Sequence, residues 1–383
     1  MTVQTQYGRD LYQDLMALCE SDESPFYYVD HLFNGTQFRV FTYRLASYTD
    51  FLKPSALECR GITFITKDDK YESLAALTPR KFFNLNENQM AMNLDFSKTR
   101  SIMDKMDGSI MTTYKLPIAD MVYLKSKTAL QSDQAIAANE FLQLEENSTL
   151  HNFLMYMMHK GYSVSMEFTD AKFRIVLPYQ KTNLTIFSAR DLTNGMDYPY
   201  SMLQSDMEEF GCVQHLVKDH FYDIDPVKLI EFVDNIPNMK DIEGYVINVD
   251  GMNIKVKCDW YKNLHSLKDN VTHPRNLFEC VVNELSDDVR AHFSHDIYLL
   301  NRIDEMELIV RKLYKKLDAP IKFFHDNSLL SRKEFALKAK DELEPMMFNV
   351  AMSYYTGKPF DDKAWLIKHY KDFNISDECA STD

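Results

Sequence analysis

Apolar positions at helical spacing come first along the chain. "GRDLYQDLMALCES" reads as an amphipathic helix, and the aromatic and β-branched segments "PFYYVDHL" and "TQFRVFTYRLASY" then read as strands. "LECRGITFITKDDKYESLAAL" predicts two strands joined by an Asp-Asp turn, followed by a polar, loop-like "RKFFNLNENQ". From 101 to 128 the pattern is strand, Asp107-Gly108 turn, strand, turn, strand. Residues 129–146 and 149–160 predict helices, the second stopped by Gly161. "YSVSMEFTD" and "FRIVLPYQKTNLTIFSAR" read as buried strands. A helical stretch around "DPVKLIEFVDNI" leads to "EGYVINVD" and "NIKVKC", joined by Asp250-Gly251. Both Asp-Gly pairs read as hairpin turns, because glycine supplies the positive φ that a tight turn needs.

Beyond about residue 262 the period is helical almost throughout. Leu299, Ile303, Met306, Val310, Leu313 and Leu317 mark one apolar helix face. Ser331 with Glu334 is a capping-box signature opening the next helix, which continues towards Gly357 as one helix or as a pair broken at Pro345. The fold class is therefore α+β: a mixed domain of strands and helices over 1–262, then an all-α domain over 263–383. A length of 383 residues fits that division, since it exceeds what one ordinary core holds.

No window approaches the run of about 18 apolar residues that a membrane span needs, and no membrane partner is expected. The N-terminus shows no basic patch followed by an apolar block, so no secretory signal is expected. Six scattered cysteines without a CxxC pair point to reduced thiols in the cytoplasm, not to disulfides or a zinc site. The net charge of −14 weighs against non-specific duplex binding, where phosphate neutralisation dominates. It leaves open an enzyme whose cations are gathered in one groove.

Three features carry candidate chemistry: Lys105-Met106-Asp107-Gly108, Glu243-Gly244-Tyr245-Val246, and Lys255-Val256-Lys257. The last two lysines share one strand face, because side chains alternate with period two. Each feature alone has a plain reading, as solvated lysines or a surface carboxylate. Phe82 and Phe83 read first as core, with an aromatic wall for a base as the alternative. Lys125 and Lys127 flank a serine on a strand and read as solvated. Asp287 and Asp288 follow Ser286 as an N-cap serine with acidic residues in a first helical turn.

A lysine before an Asp-Gly, then a carboxylate strand, then a two-lysine strand is an order that resembles the covalent nucleotidyltransferases. "ALECRGITF", "KFFNLNEN", "LKSKTAL", "EGYV", "KVKCDWYKNLHS" and the "SDD" at 286–288 resemble, in order, the T-even bacteriophage type of ATP-dependent RNA ligase, the family that repairs anticodon nicks. The resemblance implies an antiparallel-sheet nucleotidyltransferase (ATP-grasp-like ligase) fold with ATP between its sheets. It makes Lys105 the adenylated lysine, and puts Arg60 and Lys81 on the ATP phosphates with Tyr43 as another ATP contact. Phe83 would line the adenine pocket and Lys127 would touch phosphate. Glu167 would lie near the ribose, and Lys255 and Lys257 on the α-phosphate side. Glu243 and Asp287 would bind Mg²⁺, and Tyr261, Asp107 and Gly108 would complete the site. Met106 stands where that family carries glutamate.

The implied partner is RNA with 5′-phosphate and 3′-hydroxyl ends, a nicked tRNA, acted on by a monomer in the cytoplasm (the host's, if phage-encoded). The alternatives are a GTP-dependent capping-type enzyme or an inactive RNA-binding relative. A free lysine titrates near about 10.4, so the attacking amine must lose a proton. Lys127, Lys255, Lys257 and a bound Mg²⁺ are expected to crowd Lys105 and favour its neutral form.

Overall fold

The computed structural model describes residues 5–21, 23–117, 120–173, 177, 179, 181–264, 273–292, 297–373 and 375. The chain divides into two compact units, 1–265 and 266–383.

The first unit opens with α1 (Gln6–Cys19), capped by the Thr5 side chain, which accepts from the Gly8 amide. Leu11, Tyr12 and Leu15 of α1 are buried with the aromatic residues of a four-stranded sheet. That sheet has the order β1 (Phe26–Phe33), β2 (Thr36–Tyr43), β3 (Ile62–Lys67), β4 (Lys70–Ala76), every pair antiparallel. Asp68 and Asp69, both at positive φ, form the expected turn between β3 and β4.

Two more four-stranded sheets follow. One runs β5 (Phe83–Asn84), β12 (Met252–Lys257), β11 (Gly244–Val249), β6 (Thr99–Asp104). The other runs β10 (Asn183–Asp191), β9 (Tyr162–Thr169), β7 (Ser109–Lys115), β8 (Val122–Lys125). The helices α2 (Asp133–Leu142), α3 (Ser148–His159) and α4 (Tyr200–Glu209) share the core of this last sheet. The short helices α5 (Leu229–Asn235) and α6 (Asp259–Leu264) complete the described part of the unit.

Three expectations change here. Asp107-Gly108 does not close a hairpin: β6 pairs with β11, and β7 pairs with β8 and β9, so the chain crosses from one sheet to another. The strand expected from Phe173 begins at Asn183; Phe173, Leu177, Tyr179, Lys181 and Thr182 lie outside it, and 174–176, 178 and 180 lie outside the described residues. The loop-like "KFFN" contains β5, which lies parallel to β12 with Phe83 opposite Ile254.

The second unit is helical in its described residues: α7 (Pro274–Val282), α8 (Ser286–His292), α9 (Ile297–Asn327), α10 (Arg332–Glu342), α11 (Pro345–Tyr355) and α12 (Asp362–Lys368). The six apolar positions expected to form one face of α9 are all buried. The Ser331–Glu334 capping box opens α10, and Pro345 starts α11.

Candidate active site

Lys105 follows the last residue of β6, and its backbone N–H donates to the Gly244 carbonyl at 2.9 Å. The strand register explains what its side chain meets. Asp104 lies opposite Tyr245, and Gly244 lies opposite Lys257, so β6, β11 and β12 bring one end of each strand to the same place. There the Lys105 Nζ lies 2.8 Å from Glu243 Oε1, and the Lys257 Nζ lies 3.2 Å from the same oxygen. Glu243 is buried, whereas Lys105 keeps about a fifth of its side chain exposed.

Of the cations expected around the nucleophile candidate, Lys257 adjoins it through this shared oxygen, and a carboxylate that was not expected as its nearest charge stands between them. A carboxylate oxygen stands at hydrogen-bond distance from the amine, with a second ammonium behind it. Burying one carboxylate between two amines satisfies its charge, which a lone buried carboxylate lacks.

Glu167 reaches the same region from another sheet. It sits in β9, opposite Ile110 of β7, and accepts from the Gly108 backbone N–H. Burial pushes its carboxyl up to about 7; Glu243 adds to the rise, while Lys105 and Arg60 oppose it. Part of its side chain remains exposed, yet the atoms around the carboxyl are dense enough for desolvation to dominate.

The Asp107-Gly108 crossing is held from both sides. The buried Asp107 carboxylate accepts from the Tyr261 hydroxyl at 2.8 Å and from the Leu177 amide at 2.7 Å. Its own amide donates to the Tyr179 hydroxyl at 3.0 Å. Gly108 is needed for space, since a Cβ there would lie 2.4 Å from the Phe168 carbonyl oxygen. Burial pushes the Tyr179 hydroxyl up to about 12, with Asp107, Glu243 and Glu167 adding to the rise.

A second group of cations is set among aromatic rings. The buried Lys81 places Nζ 5.2 Å from the ring centre of Phe83, 5.5 Å from Phe51 and 5.6 Å from Tyr43. Lys127 places its Nζ 4.9 Å from the ring centre of Tyr43, which therefore serves two ammonium groups. Phe83 is itself a core residue, in edge contact with Phe51. Arg60 lies 5.5 Å from the ring centre of Phe82, and its carbonyl accepts from the Thr78 hydroxyl at 2.8 Å. Lys255 lies on β12 opposite Asn84 and Val246, two positions before Lys257.

Asp287 belongs to the second unit. It is in the first turn of α8, near Glu307, whose carboxyl burial raises. Ser286 is the first helical residue, its hydroxyl bonds Glu307, and Asp287 and Asp288 lie in the first turn as expected. Among the described residues no group of three or more His, Cys, Asp and Glu side chains is arranged to hold a metal ion. The two carboxylates near Lys105 suit a magnesium ion that takes most of its ligands from phosphates and water. They do not suit an all-protein cage.

Sequence reasoning missed three participants. Phe51 and Tyr179 gave no signal, because an isolated aromatic in an apolar chain reads as core. Lys125, read as solvated, is fully buried; the paired lysines of "LKSK" were its one visible sign.

Two family models match this chain. Residues 58–261, more than half of it, match the model described as RNA ligase. Residues 268–374 match the model described as the T4 RNA ligase 1 C-terminal domain. The chain belongs to the RNA ligase family. Among curated relatives of this family member, a candidate RNA ligase of Thermovibrio ammonificans is 24% identical over 265 residues, or 65% of this chain. The chain spans about 64% of that relative's length. Solved structures overlap more loosely. An archaeal ATP-dependent RNA ligase shares 10% identity at a TM-score of 0.47, covering 92% of this chain and 99% of its own. A Naegleria gruberi RNA ligase, in a mutant form with ATP and Mn, shares 16% identity at a TM-score of 0.35, covering 45% of this chain and 52% of its own. Family membership of this RNA ligase homologue rests on the two sequence models, not on these overlaps. Among its described residues no helix is long and apolar enough to cross a membrane.

Proposed function

We propose that this protein is an ATP-dependent RNA ligase that works through Lys105. The observation that carries the reading is the convergence of Lys105, Glu243 and Lys257 at three adjoining strand ends, in a chain of the RNA ligase family. In the first step the Lys105 amine attacks the α-phosphorus of ATP. An N–P bond forms, the bond to pyrophosphate breaks, and one amine proton leaves. Glu243 Oε1, at 2.8 Å, is the acceptor within reach of that proton. The AMP then passes to an RNA 5′-phosphate, and a 3′-hydroxyl displaces it to seal the strand.

Charge placement supports the first step. Lys255 and Lys257 share a strand and are assigned to the α-phosphate side. Arg60, Lys81 and Lys127 are assigned to the phosphates of ATP, which carry the charge of the transferring and leaving groups. Tyr43 and Phe83 serve this group through Lys81 and Lys127, and Glu167 is assigned to the ribose. Asp107, Gly108 and Tyr261 hold the segment that carries the nucleophile. A magnesium ion entering with ATP would neutralise triphosphate charge, with Glu243 and Glu167 as the fitting carboxylates; the metal role of Asp287 stands on family resemblance.

The substrate in this reading is RNA with 5′-phosphate and 3′-hydroxyl ends, and specifically tRNA nicked in the anticodon loop, sealed by a monomer. The second unit is assigned to choosing that RNA. The deciding measurement is intact mass after incubation with ATP and magnesium, with mapping of the added AMP. The adduct is expected on Lys105 and absent from Lys105→Ala; an adduct that survives the substitution rejects the reading. Sealing of nicked tRNA should fall more than self-adenylation when residues after 262 are removed, and equal loss rejects the role given to the second unit.

A further inference from the structure

Lys125, the last residue of β8, has no exposed surface, and among the described residues no carboxylate pairs with it. Its Nζ instead donates to three backbone carbonyls: Gly61 at 2.8 Å, Ser126 at 2.8 Å and Lys127 at 3.4 Å. An ammonium has three donors and matches three acceptors, whereas a neutral amine has two. Burial without a counter-charge is costly, and it draws the Lys125 pKa down to about 7.

The three carbonyls come from two segments that touch. Gly61 has φ of +93°, and a Cβ on it would lie 2.2 Å from the Lys127 carbonyl oxygen. The Gly61 carbonyl also accepts from the Thr63 hydroxyl, and its amide donates to the Phe41 carbonyl. Peptide oxygens gathered round one point repel unless a donor, best a cation, lies among them. Each segment carries one of the assigned phosphate contacts: Arg60 precedes Gly61, and Lys127 follows Ser126.

We infer that Lys125 is a positioning residue: its buried ammonium ties the Gly61 carbonyl to those of Ser126 and Lys127, and so sets Arg60 and Lys127 for the phosphates of ATP. The inference rests on the ligase reading. It predicts a defect confined to the step that uses a triphosphate. Joining of pre-adenylated RNA, which carries no triphosphate, does not call on that alignment.

The test is Lys125→Met in the full chain, read in two assays. Self-adenylation with ATP is expected to slow about 10- to 100-fold, the scale of a small misplacement of catalytic groups. Joining of pre-adenylated RNA is expected to stay within about threefold of the unsubstituted protein. Equal slowing of both steps would mean a general loss of folded protein and overturn the inference, as would no slowing of either. Should Lys125→Met fail to fold, Lys125→Gln, which keeps two donors, is read in the same assays against the same criteria. Lys105→Ala run alongside separates the two levels. An adduct on Lys105→Ala rejects the ligase reading, whereas its loss there with full adenylation by Lys125→Met rejects only the positioning role.

Discussion

The same dipeptide occurs twice beside the sheet of β5, β12, β11 and β6, with opposite consequences. Asp250-Gly251 closes the β11–β12 hairpin as a two-residue loop, with φ of 51° and 88°. Asp107-Gly108 joins strands of different sheets, and neither residue has positive φ. Asp250 is 58% exposed and pairs with Arg100 at the surface, whereas Asp107 is buried and binds Tyr261 and Leu177. An Asp-Gly pair therefore announces a tight backbone, but which strands it joins is decided by pairing far away in the chain. Glycine answers a torsional need at one place and a steric one at the other.

Substitutions can break or sharpen that contrast. The largest effect belongs to Gly108→Ala, whose new methyl would meet the Phe168 backbone. It should cost about 1–3 kcal/mol in urea unfolding and slow self-adenylation about 100-fold; wild-type values for both would remove the distinction between the two glycines. Tyr261→Phe takes one donor from the buried Asp107 carboxylate and should cost about 1–3 kcal/mol, measured the same way. A cost as small as that of a surface hydroxyl would show that Asp107 is not held as described.

Of the two turns, only the crossing has a desolvated carboxyl bonded to its glycine amide. Burial pushes the Glu167 carboxyl up to about 7 in the folded chain, above the ordinary value it keeps when unfolded. Between those values the folded form keeps a proton that the unfolded form has lost, so stability should fall as pH rises through that window. Glu167→Gln removes the titration. The drop in Tm between pH 5 and 7.5 should be smaller in this variant by roughly a few degrees, and parallel curves would argue against the raised carboxyl. Gly251→Ala should cost about 1 kcal/mol, the ordinary penalty for an alanine at positive φ, with self-adenylation unchanged. Asp250→Ala should cost less still, under about 1 kcal/mol, because its ion pairs are exposed.

Much of this arrangement was legible before the structure. The apolar face from Leu299 to Leu317 and the Ser331 cap are local signals, each decided within a few residues, and each appears where expected; of the one helix or the pair broken at Pro345, the structure has the pair. The hairpin at Asp250-Gly251 is local in the same sense. The β6–β7 crossing was not legible, because nothing between Thr99 and Lys115 says that one strand pairs with 244–249 and the other with 162–169. The ion pair of Lys105 with Glu243 depends on that same long-range register, so sequence order could suggest company for the lysine but not its nearest charge. Lys125 was misread for a related reason. A lysine ending a short strand is normally solvated, and here the Gly61 segment, distant in the chain, meets the Ser126 and Lys127 carbonyls around it.

The crossing at residues 105–108 has a mechanical consequence. One sheet's chain becomes the other's within these few residues, so the place of Lys105 is set by both sheets at once. The candidate nucleophile thus stands at a seam, and the frame that aims its side chain belongs to neither sheet alone.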